Sequence, residues 1–270
     1  MSETPYFGLP SKVLFCKHCV ISNQRPSSTV EFKHTKDDKK NTIGFDDDGV
    51  CDACRYQEIK AVEIDWERRE NALIETLAKY RRNDGGYDVI VPGSGGKDSA
   101  YTSHILKYKY GMNPLTVTWA PHKYTDIGWK NFENWIHVGG LDNILFTPNG
   151  ALHRYLTRQA FLNLLHPFQP FIVGQRIIGP LMAAKFGVKL VMYGENQAEY
   201  GNDPDDNYKP TMDRKFFSIG DPQDMVLGGK SVRDIMAETE FTLNDFAPYI
   251  PPNADFLEQR GVEVHYLGYY

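Results

Sequence analysis

Cysteine is scarce in these 270 residues, and no cysteine stands alone. The four that occur fall in two pairs, Cys16-Lys17-His18-Cys19 and Cys51-Asp52-Ala53-Cys54, so no thiol is left over to act as a nucleophile. Long apolar runs are missing as well, and without 18 consecutive apolar residues no membrane span is indicated. Residues 1–10 lack the charged-then-apolar layout of a secretory leader, which points to the cytoplasm. A basic face is also lacking. Lys and Arg number 30 against 35 Asp and Glu, and the one lysine-rich stretch, 36–40, is interrupted by Asp37 and Asp38. Phosphate neutralisation needs clustered cations, so a nucleic-acid partner is not expected. Two nucleotide motifs are absent: the P-loop pattern fails because Lys97 is followed by Asp98, and G-x-G-x-x-G fails for want of a third glycine.

What is present centres on residues 87–101. An apolar β-type run breaks at Pro92-Gly93, passes through Ser94-Gly95-Gly96-Lys97-Asp98-Ser99, and enters a segment of helix-forming character. A strand, a glycine turn and a helix N-terminus in that order make an anion site, because backbone N–H groups converge where the helix dipole is positive. The alternative is an ordinary Gly-Ser turn joining strand to helix. The six residues 94–99 resemble the SGGxDS loop of the PP-loop ATP pyrophosphatases. That resemblance implies a loop cradling the pyrophosphate that leaves when a substrate oxygen is adenylated.

Paired Cys-x₂-Cys units separated by about thirty residues resemble a structural zinc knuckle. Cys16, Cys19, Cys51 and Cys54 are the expected Zn²⁺ ligands; disulfides and an iron–sulfur centre are the competing readings. His18 is expected to be a solvated side chain within the turn. Residues 30–40, polar and charged, are expected as a loop or exposed hairpin, and 46–49 as a turn.

Beyond the second pair, Ile59, Val62, Trp66, Leu73, Leu77 and Tyr80 recur at helical spacing and predict one amphipathic helix, closed by Asn83-Asp84-Gly85-Gly86. Strands are then expected at 87–91, 115–119, 143–146, 188–193 and 262–267. Between them the pattern predicts helices over 98–110, from 126 to about 138, 151–165 and 174–186, with a break at His166-Pro167-Phe168-Gln169-Pro170. The chain is thus read as α/β: a zinc module over 1–58, a linker helix over 59–84, and a doubly wound parallel sheet over 85–270. Ligands of such sheets bind beyond the carboxyl ends of the strands. Strand ends therefore supply the candidates: Trp119 as a nucleotide-pocket wall, His122, Tyr124 and Asn149 toward substrate, and the polar run 194–202 with Glu195, Asn196 and Glu199. Two carboxylates with amides between them suit Mg²⁺ or a hydrogen-bonded substrate better than burial. Residues 201–213 are expected to form a lid.

In order along the chain come FCKHCVISNQRP, GVCDACR, VPGSGGKDSAY, TVTWAPHKYTDIGWKNF, LLHPFQPF and GENQAEYGN. Together they closely resemble the N-acetyl sugar amidotransferases of bacterial surface-glycan biosynthesis, nearest to members assigned to pseudaminic acid pathways. The resemblance implies a PP-loop (HUP-like) catalytic domain that converts a sugar N-acetyl group to an acetamidino group at the expense of ATP and ammonia. It implies Ser94, Gly95, Gly96 and Ser99 on pyrophosphate, Lys97 on its developing charge, and Asp98 on Mg²⁺. Glu195 and Asn196 would orient metal or substrate, and His166 and Gln169 join His122, Tyr124, Asn149 and Glu199 as substrate contacts. The acceptor would be an acetamido sugar, free or nucleotide-activated. With every cysteine paired, ammonia is expected from a separate glutaminase subunit or from solution. Family members run longer, so a C-terminal part is expected to be missing, with the chain ending inside a strand at Tyr269-Tyr270. Oligomeric state is left open, a homo-oligomer included. The rivals are a tRNA-thiolating PP-loop enzyme, for which no basic face or extra cysteine is visible, and a non-catalytic nucleotide-binding scaffold.

Overall fold

The structure, a computed structural model, describes residues 8–195 and 204–270. In chain order, α1 (Asp52–Val62) and α2 (Trp66–Tyr80) precede β1 (Val89–Pro92), α3 (Lys97–Tyr108) and β2 (Pro114–Trp119). Next come α4 (Asp126–His137), β3 (Asp142–Phe146), α5 (Gly150–Leu164), α6 (Gln169–Phe186) and β4 (Leu190–Tyr193). A small hairpin, β5 (Val226–Leu227) and β6 (Lys230–Ser231), leads through the short helices α7 (Val232–Glu238), α8 (Leu243–Phe246) and α9 (Ala254–Gln259) to β7 (Glu263–Tyr266).

Five strands form one parallel sheet in the order β3-β2-β1-β4-β7. Side chains alternate across it. Ile90, Val117, Val191 and Val264 pack with Ile177, Ile178 and Ala183 of α6 on one face. Val89, Val91, Leu190 and Met192 pack with Leu73 and Leu77 of α2 and Leu106 of α3 on the other. Both faces being covered, β1, β2 and β4 are buried along their whole length; β1 and β4 read as continuous apolar runs, while β2 alternates Thr116 and Thr118 with Leu115, Val117 and Trp119 and buries its threonines as well. The expected doubly wound α/β sheet is therefore present. Strand order reverses at β1 and β4, which opens a crevice at their carboxyl ends. Among the described residues no helix is long and apolar enough to cross a membrane.

Several expectations need correction. The single helix across 59–80 is two helices, because the Asp65 side chain accepts from the Arg68 N–H and caps a fresh start. Of the two forms expected for residues 30–40, the loop is present and the exposed hairpin is not. A 3₁₀ turn, Glu31–Lys33, buries Phe32 to 1% exposure in the main core and takes Glu31 and His34 in with it. Helix α6 begins at Gln169, one turn earlier than expected, since Pro170 is compatible with a first turn. Of the expected lid over 201–213, residues 201–203 lie outside the described residues, and its C-terminal end is pinned along β7: Met212 N–H donates to Val264 O and Tyr266 N–H to Pro210 O, both at 2.9 Å. Strand β7 ends at Tyr266, so the chain does not end within a strand. The Arg69 guanidinium lies 3.6 Å from the Tyr269 ring centre, and Tyr270 Oη is 2.8 Å from His265 Nδ1.

Candidate active site

The glycine-rich loop is built by close packing. A Cβ on Gly93 would lie 2.1 Å from Ser99 Cβ, and Gly95, at φ +81°, would put one 2.9 Å from the Phe132 backbone of α4. Gly96 precedes α3 and offers no capping side chain. First-turn N–H groups have no partner within a helix, so those of α3 are open to an anion, with the helix dipole behind them. Ser99 is buried and its Oγ donates to Gly96 O at 3.1 Å. Lys97 Nζ and Asp98 Oδ1 pair at 2.7 Å on the solvent side. Gly194 packs on the Asp98 carbonyl, where a Cβ would approach to 2.8 Å, and this brings Glu195 beside the first turn of α3.

A cavity of about 330 Å³ lies under the strand ends. Its walls are Gly93 after β1, Trp119 of β2, Tyr193 and Glu195 at β4, and Tyr266 of β7. Ser28 and Glu31 of the N-terminal arm border it too, with His166, Gln175 and Arg176. The Trp119 indole is seated against Gly174, where a Cβ would come within 2.2 Å of the ring. Two buried wall atoms, Trp119 Nε1 and Glu31 Oε2, have no hydrogen-bond partner among the described residues. Buried polar atoms are rarely left so, and here both belong to residues that line one cavity.

Glu31 sets the charge there. Its Oε2 lies 3.8 Å from both His34 Nδ1 and His166 Nε2. Burial works to raise its pKa, but His34 and the charges of Arg176 and His166 outweigh this and hold the carboxyl below the usual range. Burial pushes His166 down, with the Glu31 carboxylate opposing that shift. The frame is fixed by backbone contacts. Arg176 Nη1 donates to Thr29 O at 3.1 Å, and Tyr193 Oη donates to the Gln175 and Arg176 carbonyls at 3.1 and 3.2 Å. The Arg176 carbonyl is the one that Pro180, lacking an N–H, cannot satisfy within α6.

Trp119, His166 and Glu195 thus meet at one cavity, directly before the loop 94–99. The remaining candidates do not. Gln169 is fully buried, its amide donating to Glu31 O (2.8 Å) and Val226 O (3.1 Å) and accepting from Gly228 N–H (3.0 Å), so it fastens the arm. Asn149 caps α5 through Ala151 N–H at 2.9 Å. His122 bonds Thr157 Oγ1 at 3.2 Å and stacks near His153, which burial and the His122 charge push down to about 4. Tyr124 packs with Trp129 and Phe132 on α4. Asn196 and Glu199 lie outside the described residues. Sequence reasoning missed Glu31, Ser28 and Arg176. The usable signal was an apolar pair, Val30 and Phe32, flanking an acid inside a charged stretch.

The four cysteine sulfurs lie within 4.8 Å of one another, with Cys16–Cys54 at 4.0 Å and Cys19–Cys51 at 3.7 Å. A tetrahedral zinc holding sulfurs at about 2.3 Å would separate them by about 3.8 Å, so the set could hold that ion. Burial works to raise the Cys16 pKa, but N–H groups of Cys51, His18 and Cys19 prevail and bring it down to about 6, favouring the thiolate a metal requires.

No family model matches the sequence, and no curated protein matches it. Among solved structures, the NH3-dependent NAD synthetase from Campylobacter jejuni is similar at 15% identity and a TM-score of 0.39, over 50% of this chain. The chain spans 59% of that protein's length. The NMN synthetase from Francisella tularensis is 13% identical with a TM-score of 0.38, over 74% of this chain and 94% of that one. Likenesses this slight do not bear on function.

Proposed function

We propose that the chain is an ATP-dependent, AMP-forming amidotransferase that converts the N-acetyl group of a surface-glycan sugar to an acetamidino group. One observation carries the reading: an uncapped glycine loop at the strand-order reversal borders a cavity lined by the buried carboxylate of Glu31, whose Oε2 has no hydrogen-bond partner among the described residues. An amide oxygen is a poor leaving group, so ammonia cannot displace it unaided. The amide oxygen attacks the α-phosphorus of ATP, the bond to the β-phosphate breaks, and pyrophosphate leaves. Ammonia then adds to the imidate carbon, the C–O bond breaks, and AMP departs with the former amide oxygen.

Ser94, Gly95, Gly96 and Ser99 hold the departing pyrophosphate, and Lys97, drawn from Asp98, neutralises it. Asp98 and Glu195 are the residues that would hold Mg²⁺, which offsets phosphate charge when bound. Trp119 borders the nucleotide. Glu31 acts in the second step. An acetamidino group is cationic whereas the acetamido group is neutral, so a buried carboxylate favours the charge that develops as ammonia adds. With all four cysteines in the metal cluster, ammonia comes from a separate glutaminase or from solution. In the test, purified protein is incubated with ATP, ammonium and candidate acetamido sugars. The expected product is lighter by the difference between O and NH, with labelled acceptor oxygen recovered in AMP. Label absent from AMP, or acceptor-dependent pyrophosphate release retained in Asp98→Ala, would refute the reading.

A further inference from the structure

A second cavity, of about 560 Å³, lies between the cysteine module and the strap that follows residue 204. It shares two wall residues, Ser28 and Phe216, with the strand-end cavity, so the two volumes are neighbours. We infer that it binds an uncharged, hydroxyl-rich group: the ring and glycosidic side of the acceptor, whose amide reaches the strand ends. The inference rests on the function proposed above.

Volume is the first argument. About 330 Å³ is near the lower bound of roughly 300 Å³ for a small-ligand site, too little for a nucleotide and a whole sugar together. The walls are the second. Asn41, Thr42 and Asn207 supply hydroxyl and amide groups, while Tyr56 and Phe216 supply apolar ring faces. Asn207 is only 8% exposed, and its Oδ1 has no partner among the described residues. A buried carbonyl oxygen without a donor is a costly arrangement that a ligand hydroxyl would relieve.

Charge decides between a polyol and a phosphate. The charged wall residues are Asp52 and Asp206 against Arg55 and Lys215, and each cation is engaged within the protein. Arg55 pairs with Asp52 and lies 3.7 Å from Asp46, and Lys215 lies 3.4 Å from Asp213. No surplus positive charge faces the cavity, as a diphosphate would require. The cysteine module thereby becomes part of the acceptor site.

The test is hydrogen exchange on the full, zinc-loaded chain, titrated with a panel of 2-acetamido hexoses, each as free sugar and nucleotide-linked, with UMP alone as a third arm. At least one free sugar is expected to slow exchange in 41–43, 52–56 and 206–208. Asn207→Ala should weaken its binding about tenfold, the loss of one buried hydrogen bond, without changing ATP affinity. Thr42→Val, a milder change, should weaken it in the same direction. Protection confined to 93–99 and 166–176 overturns the inference. So does unchanged sugar affinity in both variants, the same footprint from UMP alone, or no panel member binding while ATP still binds. Failure of the reaction reads differently: protection by sugar without amidine formation leaves this site standing. Amidine formation at full rate in both variants removes the site and leaves the reaction.

Discussion

The loop after β1 and the arm carrying Glu31 border one cavity by opposite means. The loop is contiguous in sequence, grips through backbone N–H groups, and owes its shape to glycines wedged against α3 and α4. The arm contributes side chains, and is held by partners far along the chain: Phe32 in the main core, Gln169 Nε2 on Glu31 O, and Arg176 on Thr29 O. A backbone grip tolerates change in side chains but not added volume. A buried side-chain network tolerates little change in its partners, because each loss strands another polar group. The loop is thus suited to hold a constant group such as a polyphosphate, and the arm to select the charge of what reacts.

Gly93→Val should break the loop side outright. The new side chain meets Ser99 at once, and acceptor-dependent pyrophosphate release should fall by about three orders of magnitude while the far-ultraviolet circular dichroism is kept. Cys51→Ser should break the arm side. This cysteine is fully buried, and its replacement should lower zinc content and uncouple the module's melting from that of the sheet, with ATP affinity retained. An ATP site lost together with the metal would show that loop and arm are one unit. Glu31→Gln should lower amidine formation by about a hundredfold and leave pyrophosphate release within a few-fold, a split visible by assaying each product. Gln169→Leu should destabilise the fold by about 2–3 kcal/mol in chemical denaturation, since it removes three hydrogen bonds to backbone groups and leaves the buried Gly228 N–H without its acceptor.

The smallest effect belongs to a control at the opposite ends of the strands. Burial works to raise the Glu263 pKa, but Tyr80, His265 and Lys79, the last two at 3.0 Å, outweigh it and bring it down to about 2. A depressed carboxylate stabilises the fold above its unfolded pKa, and that contribution is lost as pH falls through the folded value. Because the pair is partly exposed, Glu263→Gln should cost less than about 1 kcal/mol at neutral pH, and nothing near pH 2, by melting temperature. Catalysis at neutral pH should not change.

What could be read from the sequence follows the same division. The strand–turn–helix unit was legible because it is contiguous: strand, glycines, hydroxyls and helix start occur within thirteen residues, 87–99. The two Cys-x₂-Cys units were legible because metal spacing is local. Strands β1 and β4 stood out as apolar runs for the reason that both sheet faces are covered, and β2 as a β-branched stretch ending in Trp119. Glu31 and Arg176 were hidden because their role depends on a contact across 145 positions, and a charged stretch with one phenylalanine looks solvated. The bonds of Gln169 to the backbone were hidden because a buried amide that satisfies backbone groups has the same composition as a ligand contact. The break between α1 and α2 turned on one cap, Asp65, inside a stripe whose period continued through it.

The hydroxyl of Tyr193 occupies the bonding position that Pro180 vacates in α6. That helix is consequently stitched to the sheet, at the turn bearing Arg176, by a residue of another element. Any displacement of the tip of β4, the strand leading to Glu195, will carry the guanidinium with it, so the position of that strand end and the electrical balance around Glu31 are mechanically geared together.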